Sequence, residues 1–592
     1  MVSDEKKRMI IMKLTKAIAG LLALMLLLTA CGSKLTGHAE LDVPYLSMPT
    51  EQNAEPILFN YGEPAPIVLS DEGITLNGAP VSTNPADAVY TAHDIVYYES
   101  GKDFTYGEGS ESDAHSPEEA VVHTVVHITQ PGTYALSGKL SRGQIAVDLG
   151  GDAKDDPNAV VNLILNGVDI TCSVAPAVIF YNVYECGSTG TETATKDVDT
   201  SAAGANVVIA DGTVNNITGS YVARIYKPGS VVLNEAGTAV EEAKKLHKYD
   251  AAFYSKCSMN LYGGAENTGV LNISAANEGL DSELHLTING GNTYITSGND
   301  GINTNEDGVS VTTINGGTVA IQVTGQTGEG DGIDSNGWLV INGGTVLAMA
   351  CSNSADSGID SDMGIHINGG IVAATGNMLD RIEEGGQNYA VFSFAQRQSG
   401  GEIIRLADQD NKAVLEFAFS NAYSTLIFSS PDLKAGTYTL WSNGNQLAGS
   451  AGGMMGGFPG GMGRPGGDRQ PGDGQNSFEN FTPPEGGWSP EGATPPEGFD
   501  PSQGNWPAEG FNPGDWENFD WSQVDFGDFQ LPEGGFERPE DFERPEGSTE
   551  GFQRPEGNWP SGGWGNFGGY NGETSTEFAI AEGGNSFTVT FA

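Results

Sequence analysis

The sequence predicts an all-β protein whose central part is a parallel β-helix, and two repeated patterns and a strand-rich texture carry that prediction. The tetrapeptide Ile-Asn-Gly-Gly begins at Ile288, Ile314, Ile341 and Ile367, at spacings of 26, 27 and 26 residues. A Gly-apolar-Asp or Gly-apolar-Asn unit precedes each one: Gly279-Leu280-Asp281, Gly301-Ile302-Asn303, Gly332-Ile333-Asp334 and Gly358-Ile359-Asp360. From that Asp or Asn to the Asn of the tetrapeptide the offset is eight residues in three repeats, and longer by four in the Asn303 repeat. A unit this long, with two or three short strands and no helix, cannot bury its own apolar face and must stack on its neighbours. A leucine-rich repeat would need its Leu/Asn signature, and a propeller blade would be longer. One unit earlier, the stretch from Asp250 to Gly264 has the same skeleton, with Tyr254 in the aspartate slot.

The elements follow in chain order. From Met12, two lysines precede an apolar run, Ala17 to Leu28, and Leu28-Thr29-Ala30-Cys31 closes it. The pattern is a secretory leader that resembles the bacterial lipoprotein box, with Met12 rather than Met1 as the expected initiator. That resemblance implies residues 1–31 as a lipoprotein signal peptide, cleavage before Cys31 and lipidation of its thiol. Two acyl chains would give a stable membrane anchor. Residues 32–70 are polar and contain proline, which suits a flexible spacer. From Ile74 short alternating strands with Gly, Asn and Asp turns follow one another, and residues 71–387 form the expected β-helix domain. Glu241 to Tyr249 is charged, and is expected to form a helical turn in an exposed loop. Residues 388–450 alternate in an antiparallel-looking set, a β cap. Residues 451–570 turn acidic and rich in Pro, Gly, Phe and Trp, the composition of a disordered insertion. Residues 571–592 return to strand, turn, strand, as final cap strands.

Charge narrows the chemistry. A net charge of −50 disfavours nucleic acid and anionic membrane surfaces, and makes cations the natural counter-partners. Stacked units bring equivalent residues within about 4.8 Å of one another. Asp281, Asn303, Asp334 and Asp360 then form a ladder, thickened by Asn277, Glu278, Asn299, Asp300, Asp331, Asp356 and Asp362. Stacked like charges destabilise a sheet. No Lys or Arg occurs from Cys257 through Asp380, so ion pairing within the repeats cannot compensate. A hard divalent cation can, and calcium tolerates six to eight irregular oxygen ligands. Asn289, Asn315, Asn342 and Asn368 read instead as structural turn residues, with glycine supplying positive φ. The exported cysteines Cys172, Cys186, Cys257 and Cys351 lack metal-ligand spacing. A Cys172–Cys186 bridge fits them, and so do unpaired thiols serving as small buried hydrophobes at three of the four.

The repeats, with the strands from Ile128 to Asp148, Asn162 to Thr171 and Tyr423 to Trp441, resemble the bacterial family of carbohydrate-binding domain-containing proteins over about Ile74 to Gly444. The resemblance implies a right-handed parallel β-helix similar to that of family 9 pectate lyases, with calcium among the aspartates. It also implies binding of a plant cell-wall polysaccharide such as polygalacturonate or cellulose. Calcium ligands map onto Asp281, Asn303, Asp331, Asp334, Asp356 and Asp360. Asn303 in an aspartate slot and the longer second repeat depart from the family pattern.

The expected function is a membrane-anchored, extracellular, calcium-dependent polysaccharide-binding protein, monomeric, with no nucleic-acid partner. Trp338 is a candidate for stacking on a sugar ring. A calcium-dependent lyase is the first alternative. It needs a base, and only Lys244, Lys245, Lys248, Lys256, Arg381 or Arg397, all outside the repeats, could supply one. A surface adhesin contacting polymers through the aromatic tail is the second.

Overall fold

The computed structural model describes residues 57–246, 249–452 and 574–590. Cys31, the leader, most of the spacer, Lys248 and nearly all of the acidic insertion lie outside the described residues. The described part is almost entirely strand.

Three ladders of parallel strands organise residues 124–376. The first stacks Thr124–Ile128, Gly143–Asp148, Val178–Asn182, Ala251–Ser255, Glu278–Ser282, Ile302–Thr304 and Ile333–Ser335. The second runs from Ala205–Ile209 through Met259–Gly263, Leu286–Ile288, Val311–Ile314 and Trp338–Ile341 to Gly364–Ile367. The third joins Val214–Gly219, Val270–Ala275, Asn292–Ser297, Thr318–Val323, Thr345–Met349 and Ile371–Gly376. The first three repeats thus give one strand to each ladder, and the fourth joins the first ladder only through an isolated bridge at Ile359, which leaves no repeat its own closed core.

The shared register explains why. Ile288, Ile314, Ile341 and Ile367 stack and are essentially buried, as do Leu280, Ile302, Ile333 and Ile359. Burial of one such side chain stabilises by about 1.5–3 kcal/mol, so the apolar positions fix the register over its one-residue alternatives.

The Asn-Gly-Gly turns link the second ladder to the third. The second glycine of each has positive φ: 86° at Gly291, 80° at Gly317, 79° at Gly344 and 81° at Gly370. Across these turns the asparagines form a row. Asn315 Nδ2 donates to Asn289 Oδ1 (2.8 Å), Asn342 Nδ2 to Asn315 Oδ1 (2.9 Å) and Asn368 Nδ2 to Asn342 Oδ1 (2.8 Å).

At the C-terminal end the pairing turns antiparallel. Ile371–Gly376 meets Tyr423–Ser429, which in turn pairs with Tyr389–Gln398. The last strand, Gly584–Thr590, lies parallel to Tyr389–Phe394 and antiparallel to Ala448–Ala451. A separate aromatic core fills this end, with Phe392 stacked on Phe587 at 5.4 Å and edge-on to Phe578 at 5.6 Å.

Several details differ from expectation. The spacer to residue 70 ends early, because Ala65–Leu69 is a strand paired in parallel with Tyr134–Gly138 through buried Ile67 and Leu69. The charged stretch from Glu241 is no helical turn. Val240–Glu242 pairs back on Val232–Leu233 across a turn in which Asn234 Oδ1 accepts from Thr238 N at 2.9 Å. That hairpin takes up the backbone groups a helix would need. A short helix at Pro117–Ala120 escaped notice, although Ser116 and Glu119 form a capping box across it. Cys172, Cys186, Cys257 and Cys351 are free thiols, so Cys172 and Cys186 are not bridged.

Candidate functional site

The acidic site begins with the register of the first ladder. Tyr254 is paired with Asp281, Asp281 with Asn303, and Asn303 with Asp334. A parallel bridge between Ile333 and Ile359 carries the row on to Asp360. A second row lies three residues earlier. Gly279 N donates to Asp300 O and Gly301 N to Asp331 O, both at 3.0 Å, and Gly332 N donates to Ser357 O at 3.1 Å. Counting back one residue from each glycine therefore aligns Glu278, Asp300, Asp331 and Ser357.

Close approach of backbone makes the glycines necessary. A Cβ on Gly301 would stand 2.1 Å from the Ile321 side chain and 2.6 Å from Gly332 O. The strand is drawn inward there, and the flanking carboxylates follow it out of solvent. Asp281 is fully buried and Asp300 is 9 % exposed. Asp331 keeps some accessible surface, although protein surrounds its carboxyl on most sides.

Electrostatics in this cluster run against ionisation. Burial, followed by the Asp334 and Glu278 carboxylates, holds the Asp300 pKa well above the usual range. Burial and then Asp300, Asp360 and Asp334 do the same to Asp331. Asp360 is pushed up to about 8 by burial, then by Asp380, Asp334, Asp362 and Asp356. Asp380 is raised mainly by burial, although Ser361 N donates to its Oδ2 at 3.0 Å.

Backbone amides meet part of the demand. Asp331 N donates to Asp300 Oδ1 (2.7 Å), Ser357 N to Asp331 Oδ1 (2.5 Å) and Gly330 N to Asp356 Oδ2 (2.6 Å). Asn303 Nδ2 donates to Glu278 Oε1 at 3.1 Å, and Asn305 Nδ2 to Asp281 Oδ1 at 2.5 Å. Three oxygens are left over: Asn303 Oδ1, Ser357 Oγ and Asp360 Oδ1 are buried and have no hydrogen-bond partner. Leaving such a group unsatisfied costs about 1–3 kcal/mol each. Among the described residues no three His, Cys, Asp or Glu side chains already converge into a cage.

Of the residues named from sequence, Asp281, Asn303, Asp334 and Asp360 fall in one row, with Asp331 and Asp356 beside it. Trp338 stands apart, half-buried at the start of a second-ladder strand between Val311 and Gly364. Sequence reasoning left Ser357 and Asp380 out and listed Asp300 only as a neighbour. Counting back one residue from each repeat glycine would have found Asp300 and Ser357.

Three of the flanking bases are engaged elsewhere. Lys245 Nζ pairs with Glu108 at 3.0 Å and Arg381 Nε with Glu383 at 2.7 Å, while Arg397 Nη2 donates to Ala422 O at 3.3 Å.

Comparison with known proteins adds three findings. Residues 123–389 match the model of a family described as carbohydrate-binding domain-containing protein. No curated protein matches the chain. Among solved structures, a polysaccharide lyase-like protein from C. thermocellum, as its gadolinium derivative, is similar at 20% identity. That likeness covers 52% of this chain and 89% of the other with a TM-score of 0.30, too loose to carry an argument.

Proposed function

We propose that this protein is a calcium-dependent polysaccharide-binding protein, held at the outer face of a membrane through Cys31, whose three ladders are the faces of a right-handed parallel β-helix. The family match supports polysaccharide as the partner. One observation carries the calcium reading: buried carboxylates stack with raised pKa values, beside three unsatisfied oxygens and no lysine or arginine in the repeats.

The donor set fits a hard cation. Asp281, Asn303, Asp331, Asp334, Asp356 and Asp360 would hold it, with Asp300 and Ser357 adding oxygens. Among the described residues the side chains are not gathered into a cage, so holding the ion would need these acids to reorient toward it. A bound cation supplies positive charge that lets the row ionise and can bridge it to a uronate carboxylate. The chain's own part is to keep the row in register and out of water. Lys245, Arg381 and Arg397 are engaged away from the row, which supports binding over a lyase reaction that would need one of them as a free base.

The experiment is retention of the full chain on polygalacturonate and cellulose, with calcium or with chelator. Retention on polygalacturonate lost in chelator supports the proposal. Release of unsaturated, ultraviolet-absorbing products would replace it with a lyase, and retention unaffected by chelator would remove calcium from it.

A further inference from the structure

A different face carries two cavities. Beside the asparagine row, Thr287, Thr313, Val340 and His366 follow one another in register along the second ladder. The segment from Lys196 to Ser201 lies over the start of these rows. Thr200 pins it there: its Oγ1 donates to Asn260 Oδ1 and shares a hydrogen bond with Thr287 Oγ1, both at 2.7 Å, and its carbonyl accepts from Asn260 Nδ2 at 2.8 Å. Lys196 reaches further along, near enough to His366 for its charge to add to burial in lowering that imidazole's pKa.

Wall and floor enclose a cavity of about 350 Å³, floored by Thr313, Asn315, Asn342 and Asn368. A second cavity of about 510 Å³ begins at Asn368 and runs past Gln387 and Asn388 to Lys434 and Glu582. Asn368 lines both, and the pair is here called the cleft. Each falls in the size range of small-molecule sites.

We propose that this cleft is a calcium-independent site for an extended, neutral glycan chain. The proposal rests on the polysaccharide reading of the protein but not on its acidic row. Three features select the ligand. Each asparagine inside the row spends one amide hydrogen and one oxygen lone pair on its neighbours and keeps one of each. Sugar hydroxyls, which donate and accept, match that surplus. The row repeats every rung, about 4.8 Å, an advance comparable with one pyranose unit. Charge in the cleft is mixed: Lys196 sits 2.5 Å from Asp197, and Lys434 shares the second cavity with Glu582. Mixed charge favours a neutral chain over a uronate.

The test is calorimetric titration of the full chain, in chelator, with cellohexaose, xylohexaose and mannohexaose. At least one should bind. Thr313→Trp fills the floor at an outward position, and Asn368→Trp blocks the junction of the two cavities at the end of the row. Each should weaken that binding roughly tenfold or more while calcium-dependent retention on polygalacturonate stays as in the parent; thermal unfolding should be unchanged in Thr313→Trp and only slightly lower in Asn368→Trp, which loses one row bond. No hexaose binding, or parent-like binding by both variants, overturns the proposal. Polygalacturonate retention that survives such a result leaves the broader reading standing, so the two fail separately.

Discussion

The asparagine row and the aspartate row are built on the same rungs at the same spacing, yet they meet opposite fates. An amide carries both donor and acceptor, so Asn289, Asn315, Asn342 and Asn368 satisfy one another. An ionised carboxylate only accepts, so Asp300, Asp331 and Asp360, with Asp334 among them, repel one another, and those three resist ionisation. A stacked fold amplifies whatever is repeated. A self-complementary side chain becomes scaffold, and a self-repelling one becomes a demand for an outside partner.

The largest expected effect is on pH dependence without metal. Asp360 has a folded pKa near 8 against an ordinary value of 3.8, and Asp300 and Asp331 shift the same way. Between those values the native state binds more protons than the unfolded chain, so stability falls as pH rises. Thermal unfolding in chelator should show a lower Tm at pH 8 than at pH 5, and saturating calcium should flatten that slope. A chelated protein equally stable at both would show that the row bears no strain.

Next is the scaffold. Gly344→Val puts a β-branched residue at φ 79°, with its Cβ 2.7 Å from Gly317 O. A loss of about 3 kcal/mol in urea unfolding is expected. Asn342→Ala removes two row bonds and should cost about 1 kcal/mol by the same measurement, with calcium affinity unchanged. The smallest effect has the opposite sign. Asp331→Asn keeps shape and relieves repulsion, so in chelator it should raise stability by up to about 1 kcal/mol while weakening calcium binding. Destabilisation of the chelated protein by Asp331→Asn would break the contrast between the rows.

The rows were legible because register in a stacked fold is counted from the sequence. The repeat spacing placed Asn303 between Asp281 and Asp334, and the extra four residues of the Asn303 repeat form a loop without shifting the pairing. What escaped depends on approach rather than period. The burial of Asp300 follows from glycines that draw the strand inward, and the wall from Lys196 to Ser201 arrives from a non-repeating segment more than a hundred residues before the floor it covers. The hairpin at Val232–Glu242 replaced a helix because pairing across Asn234 outweighed the local preference of its charged residues.

The most direct test is calorimetric titration of calcium into the chelator-stripped full chain at neutral pH, beside the double variant Asp331→Asn, Asp360→Asn. The parent should bind calcium with release of protons, because the raised carboxyls must ionise, and the double variant should lose that proton-linked binding. Equal titrations of parent and variant, or none in either, would contradict the assignment of the aspartate row to calcium.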